Sequence, residues 1–260
     1  CIGKWGLGMH YTTGDPNKQG FDYFYGYLCQ KQAHNFFPTH LWENGRWDSL
    51  DNHMINVHSK KDKSLVTSED FKYYEGKDHA PDRMTSKASS FIQKNKKNPF
   101  FLYLSYPLPH LSLQIPSSYL PPYIGKVKEV PYYSEHGYAM HQNPSSAYAA
   151  MITYLDSQVG IIMDQIKKAG LDEQTIILFS SDNGTTFLKQ VDAGQFNSTA
   201  GLRGFKMDLY EGGIRVPFIV RWPGKIKAET ESAHLSVQYD LMATVCELIK
   251  IKAPANDGIS

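Results

Sequence analysis

Thr175-Ile176-Ile177-Leu178-Phe179-Ser180-Ser181-Asp182-Asn183-Gly184 decides how this chain is read. Its apolar run is continuous rather than alternating, which marks a strand covered on both faces, and Asp-Asn-Gly ends it in turn chemistry. Just upstream, Pro144-Ser145-Ser146 opens a long helix. Tyr148, Ile152, Leu155, Val159, Ile162 and Ile166 recur along it at three- to four-residue steps, and Gly170 closes it after Lys167 and Lys168. Downstream, residues 216–222 form another strand candidate, entered at Pro217 and stopped by Pro223-Gly224. A last helix is expected near residues 237–249. Further back, a helix over about residues 83–96 carries Met84, Ala88, Phe91 and Ile92 on one face. It leads into Phe100-Phe101-Leu102-Tyr103-Leu104-Ser105-Tyr106, a second buried-strand pattern ended by Pro107 and Pro109. Strand and helix alternate, which predicts an α/β protein with a largely parallel sheet covered by helices.

Two stretches break that alternation. Residues 14–77 are aromatic and poor in helical periodicity, and Trp42-Glu43-Asn44-Gly45-Arg46-Trp47 carries an Asn-Gly hairpin signal. This region reads as a loop and hairpin excursion on the sheet rather than a separate domain. Residues 112–143, with four prolines, form a second irregular excursion. Loops this long inside a compact domain are usually functional.

Composition narrows the function. With 27 basic against 26 acidic residues, the basic excess of a nucleic-acid binder is missing, so no nucleic-acid partner is expected. No apolar run approaches the roughly 18 residues of a membrane span. Seventeen Tyr and 13 Phe exclude a disordered chain. Cys1, Cys29 and Cys246 are an odd set without Cys-x-x-Cys spacing, so neither a disulfide framework nor a zinc ribbon is indicated.

In open α/β sheets, ligands sit beyond the carboxyl ends of the strands. Asp182-Asn183 falls there after one strand pattern and His110 after the other. A carboxylate beside an amide carbonyl offers hard oxygen ligands suited to Ca²⁺ or Mg²⁺; Asp-Asn-Gly is equally an ordinary turn sequence. Lys4, in Ile2-Gly3-Lys4-Trp5-Gly6-Leu7-Gly8, and Arg203 and Lys206, in Gly201-Leu202-Arg203-Gly204-Phe205-Lys206, are candidates for holding an anion. The spacing around Lys4 is not that of a P-loop. Taken singly, each of these residues is as readily structural or solvated.

Their order and flanks resemble one family. Ile2–Gly8 is similar to the signature Gly-Lys-Trp-His-Leu-Gly of the formylglycine-dependent (type I) sulfatases in the alkaline phosphatase superfamily. Gly20-Phe21-Asp22-Tyr23-Phe24-Tyr25-Gly26 resembles the segment that follows it. Pro99-Phe100-Phe101-Leu102 leading to Pro109-His110 looks like the family's strand and histidine, and Ser180-Ser181-Asp182-Asn183-Gly184 like its metal motif. Leu202-Arg203-Gly204-Phe205-Lys206, Tyr210-Glu211-Gly212-Gly213-Ile214-Arg215-Val216-Pro217 and Trp222-Pro223-Gly224 complete the likeness, which covers nearly the whole chain.

The resemblance implies an alkaline-phosphatase-like fold and a sulfuric ester hydrolase. It implies Ca²⁺ (with Mg²⁺ an alternative) on Asp182 and Asn183, polarising the sulfate oxygens. Lys4 and Lys206 would neutralise the transferring group. His110 would contact the sulfate or the leaving oxygen, as an acid when the ester breaks. Glu211, Gly212, Gly213 and Arg215 read as structural. The substrate implied is a small sulfated compound, and the aromatic loop around Phe36–Trp47 suits a sulfated sugar. Secretion or a periplasmic location goes with that class.

The chain departs from the family pattern twice. Gly6 stands where the family usually has a histidine that contacts the formylglycine. His34, in Gln30-Lys31-Gln32-Ala33-His34-Asn35, is the candidate replacement, and His34 and Gln30 are the expected substrate-binding residues. None of the three cysteines, nor any serine, begins the family's Cys/Ser-x-Pro-x-Arg motif, and the family's first metal aspartates have no counterpart before Lys4. The resemblance places these upstream, so residues 1–260 read as the central part of a single sulfatase catalytic domain, incomplete at both ends and inactive alone. Two other readings stay open: a phosphodiesterase or phosphonate hydrolase of the same superfamily, and a non-catalytic binder of sulfated glycans.

Overall fold

Strand β1 (Ile2–Lys4) lies inside a five-stranded sheet of order β4-β3-β2-β1-β5 in the computed structural model. The structure describes residues 1–188, 190–191 and 195–260. β1 pairs in parallel with β2 (Tyr25–Tyr27) on one side and β5 (Leu104–Ser105) on the other. β3 (His40–Glu43) and β4 (Arg46–Ser49) then extend the sheet antiparallel from β2. The turn between them is the expected Asn44-Gly45, with φ of 46° and 80°, the left-handed geometry a two-residue hairpin needs.

The helices follow their apolar periodicity. α1 (Ser68–Lys72) is a short surface helix, whereas α2 (Ala80–Asn95) buries Ala80, Met84 and Ala88 against Ile2, Tyr25, Tyr27 and Leu41 of the sheet. α3 (Pro144–Lys168) packs against α2. Its Ala147, Ala150, Met151 and Tyr154 join Phe36, Leu108, Leu111, Leu113 and Tyr132 in a second core. Both long excursions therefore supply core residues. Glu129 accepts hydrogen bonds from the Ser145 and Ser146 backbone N–H groups at 2.9 and 3.1 Å, satisfying orphan donors at the start of α3.

β6 (Ile177–Ser180) and β7 (Phe218–Arg221) pair antiparallel as a separate two-stranded sheet, with α4 (Glu211–Ile214) between them in sequence. The expectation of a largely parallel sheet is thus corrected: β2-β1-β5 is parallel, and the hairpin and the β6–β7 pair make the whole mixed. The Phe100–Tyr106 pattern predicts a buried strand, but among the described residues only Leu104–Ser105 of it pairs, with Phe101 71% and Tyr103 48% exposed. Among the described residues β5 is an edge strand, and an apolar run does not reveal whether both its sides find partners. Contacts divide the chain into units of residues 1–222 and 223–260, the second holding α5 (Asp240–Leu248).

Candidate active site

Lys4 ends β1, so the parallel strands on either side set its position. The Ser105 hydroxyl donates to the Lys4 carbonyl at 2.8 Å, fixing the backbone where the lysine leaves the sheet. Beyond β5 the chain turns at Pro107, whose carbonyl accepts the His110 N–H at 3.0 Å. Beyond β2, a single 3₁₀ turn, Gln32–His34, carries His34 to the same end of the sheet. The two imidazoles stack face to face, 4.9 Å between centroids and 7° from parallel. The Ser112 N–H donates to the His34 carbonyl at 3.3 Å, and the buried Gln114 side-chain carbonyl accepts the Phe36 N–H at 2.8 Å. These two ties hold the 3₁₀ turn against the segment after His110.

The Asp182–Asn183 turn and the Lys206 loop reach this place through close backbone packing. Gly184 donates to the Gly213 carbonyl at 2.9 Å, Gly212 to the Arg203 carbonyl at 2.7 Å, and the Lys206 N–H to the Thr185 carbonyl at 2.8 Å. A Cβ on Gly184 would lie 2.0 Å from the Gly212 carbonyl oxygen, and one on Gly212 would lie 2.2 Å from that of Gly204. No side chain fits there, so the glycines expected to be structural set the distance between the Asp182 turn and the Lys206 loop.

Electrostatics place these groups in one site. Burial lowers the Lys206 ammonium pKa; Asp182 opposes that shift and Lys4 adds to it. Burial pushes His110 down to about 4, with Lys206 and Lys4 lowering it further and its hydrogen bond to the Leu111 carbonyl and Asp182 opposing the shift. His34 is also held at about 4, by burial first and then by His110, His58, Lys4 and Lys206. Both imidazoles are therefore neutral at pH 7. The His110 Nδ1–H is committed to the Leu111 carbonyl, which leaves Nε2 as the acceptor.

Asp182 and Asn183 offer oxygen donors of the kind hard cations take. Asn183 donates its Nδ2 to the Gly184 carbonyl at 2.9 Å, and among the described residues its side-chain oxygen accepts no hydrogen bond. Among the described residues no hydrogen bond reaches the Asp182 carboxylate. The pair fits Ca²⁺ or Mg²⁺ in donor chemistry and supplies two ligands of the six to eight that Ca²⁺ takes. Among the described residues no group of three His, Cys, Asp or Glu side chains is arranged around a metal.

Lys4, His34, His110, Asp182 and Lys206 are brought together, while Gln30 stands beside Gly6. Gly6 has φ of +78°, and a Cβ there would lie 3.6 Å from the Gln30 Cβ and 3.7 Å from its Oε1. A side chain at position 6 would thus need a left-handed backbone and would face Gln30. The sequence reading missed His58 and Tyr138, whose rings lie 5.2 Å from that of His34. His58 stands in the polar stretch Val57-His58-Ser59-Lys60-Lys61, and nothing in its spacing connects it to the other residues.

Two lysines, two neutral imidazoles and a carboxylate thus share one electrostatic neighbourhood in an α/β fold. The particular family follows from comparison with known proteins. A model of the sulfatase family matches residues 1–251, and the chain belongs to that family. It is 32% identical over 179 residues to the N-acetylgalactosamine-6-O-sulfatase of Bacteroides thetaiotaomicron, covering 66% of this chain and 31% of that protein. It is 28% identical to Arylsulfatase G of Rattus norvegicus, covering 99% of this chain and 48% of the relative. The crystal structure of Ps i-CgsB in complex with k-i-k-neocarrahexaose superposes with a TM-score of 0.74 at 25% identity, covering 99% of this chain and 52% of that one. The chain thus spans less than half the length of these two curated relatives. No helix among the described residues is long and apolar enough to cross a membrane.

Proposed function

We propose that the full-length protein hydrolyses sulfate esters of carbohydrates, with this chain supplying the residues that hold the sulfate and the leaving group. The observation that carries this reading is the common electrostatic neighbourhood of Lys4, His110, Asp182 and Lys206 at one end of the sheet. The sugar class is supported by the N-acetylgalactosamine-6-O-sulfatase relative and by the carrageenan-type oligosaccharide named with the structural neighbour. Secretion or a periplasmic location accompanies that substrate class.

The chemistry of this chain follows from its charges. Lys4 helps to disfavour the charge on Lys206, and a sulfate placed between the two lysines would offset that repulsion while its own charge is neutralised. Asp182 and Asn183 would hold the divalent cation, which when bound polarises the sulfate oxygens as a Lewis acid. His110 is neutral before substrate binds. A proton it gives to the leaving oxygen is therefore one taken up with the substrate, whose negative charge offsets the two lysines that keep the imidazole unprotonated. His34 and Gln30 would contact the sugar. The formylglycine nucleophile implied by the resemblance is not supplied by residues 1–260.

The test is turnover by the full-length protein of a sulfated monosaccharide and an aryl sulfate beside the matching phosphate esters, with and without chelator, together with mass spectrometry for formylglycine. Chelator-sensitive sulfate release by a formylglycine-bearing protein is expected. Faster phosphate release would favour the phosphodiesterase reading. Glycan binding without turnover or modification would favour the binding module.

A further inference from the structure

His34 and His58 each bury a ring nitrogen with no hydrogen-bond partner, Nδ1 in His34 and Nε2 in His58. The two rings are also neighbours, 5.2 Å between centroids and 68° from parallel. Of the buried unpaired side-chain atoms among the described residues, the others belong to His79 and Ser134, and no ring contact joins His79 to this pair. A buried polar nitrogen left unpaired costs about 1–3 kcal/mol, so pairing the two in these adjacent rings would relieve both costs.

We propose that His58 is a positioning residue for His34: its Nε2 accepts a hydrogen bond from the His34 Nδ1–H and thereby holds His34 in the tautomer whose Nε2 is an acceptor facing substrate. The tautomer of His58 follows from its other contact. Its Nδ1 lies 2.7 Å from the Gly137 carbonyl oxygen, which only accepts, so Nδ1 carries the hydrogen. That tautomer leaves a lone pair on Nε2, the atom that is buried and unpaired. His34 Nδ1 is the complementary donor, and a turn about the soft second torsion of a histidine closes the contact. Among the described residues His34 Nε2 makes no hydrogen bond, and unlike Nδ1 it is not shut away from solvent.

The arrangement parallels the stacked neighbour. His110 ties its Nδ1–H to the Leu111 carbonyl, leaving its own Nε2 as acceptor. Two stacked imidazoles, each anchored through Nδ1, then offer two acceptors to the donors of a hydroxyl-rich substrate such as a sugar. This deepens the sulfatase reading, on which the identity of the substrate rests. The tautomer itself is independent of turnover.

The experiment is ¹⁵N NMR of histidine-labelled full-length protein near pH 7, reading the tautomer of His34 directly, in wild type, His58→Phe and His58→Gln. Wild type is expected to show His34 protonated on Nδ1. His58→Phe should move His34 toward the Nε2–H form and raise KM for a sulfated sugar about tenfold with less change in kcat, because the acceptor is lost from binding. His58→Gln, whose amide oxygen can accept from the His34 Nδ1–H, should restore the Nδ1–H form. If His58→Phe does not fold, a scalar coupling across the hydrogen bond between His34 Nδ1 and His58 Nε2 in wild type supports the proposal, and its absence overturns it. A wild-type His34 protonated on Nε2, or a tautomer indifferent to His58→Phe, overturns the proposal. Absence of sulfate turnover with the predicted tautomer intact overturns the sulfatase reading instead.

Discussion

Gly212→Ala should disable the site without touching a charged residue. In the structure a Cβ at position 212 lies 2.2 Å from the Gly204 carbonyl oxygen and 2.8 Å from that of Arg203. Ordinary contact begins near 3.4 Å, so the segment leading to Lys206 must retreat by roughly 1 Å. Both obstructing atoms are backbone and cannot rotate away. Overpacking of this kind costs about 1–3 kcal/mol. Straining the 2.7 Å bond from the Gly212 N–H to the Arg203 carbonyl adds roughly 0.5–1.5 kcal/mol. Together they predict a loss of about 2–4 kcal/mol, which lowers Tm by roughly 5–15 °C. Because the same movement carries Lys206 away from Asp182, kcat/KM for a sulfate ester should fall on the order of 100-fold. The control is Gly160→Ala on the exposed face of α3, where a Cβ meets nothing within 4 Å. That change should stabilise by about 0.5–1 kcal/mol through helix propensity. Calorimetry and steady-state kinetics of the full-length protein read both. A Gly212→Ala protein within about 2 °C of wild-type Tm and with unchanged turnover would falsify the packing argument.

Glu129→Ala removes the acceptor for two N–H groups in the first turn of α3 and should lower stability by about 1–2 kcal/mol in urea titrations; a shift under about 0.5 kcal/mol would mean that water replaces the carboxylate. Lys206→Met should leave the fold intact by circular dichroism and lower kcat/KM about 10²–10³-fold, whereas a loss below about tenfold would remove Lys206 from charge stabilisation. Stability should also fall as pH drops from about 6.5 towards 4. His34, His110 and His141 are held at about 4 and His79 at about 3, each mainly by burial, against an ordinary value of 6.5. The unfolded chain therefore binds protons in that window that the folded one refuses, and unfolding becomes easier as acid is added. Urea midpoints that stay flat between pH 7 and 5 would contradict the burial of these imidazoles.

Much of this protein was determined by local sequence. The helices at Ala80–Asn95 and Pro144–Lys168 follow their apolar spacing within a few residues, and Asn44-Gly45 sets its hairpin because only a left-handed pair closes such a turn. The motif order around Lys4, His110, Asp182 and Lys206 points to the sulfatase family without any tertiary contact, since each motif is contiguous along the chain.

What tertiary structure decided is every relation between distant segments. Whether strands pair parallel or antiparallel depends on where the chain returns, so the mixed sheet and the exposed edge at Phe101 and Tyr103 left no mark in the apolar runs. The stacking of His34 on His110, the presence of His58 beside them and the lowered pKa values all arise from burial and proximity. Residue types prescribe local backbone geometry through sterics and hydrogen bonding. The electric field at a side chain is a sum over whatever the fold brings near it, and no stretch of sequence carries that sum.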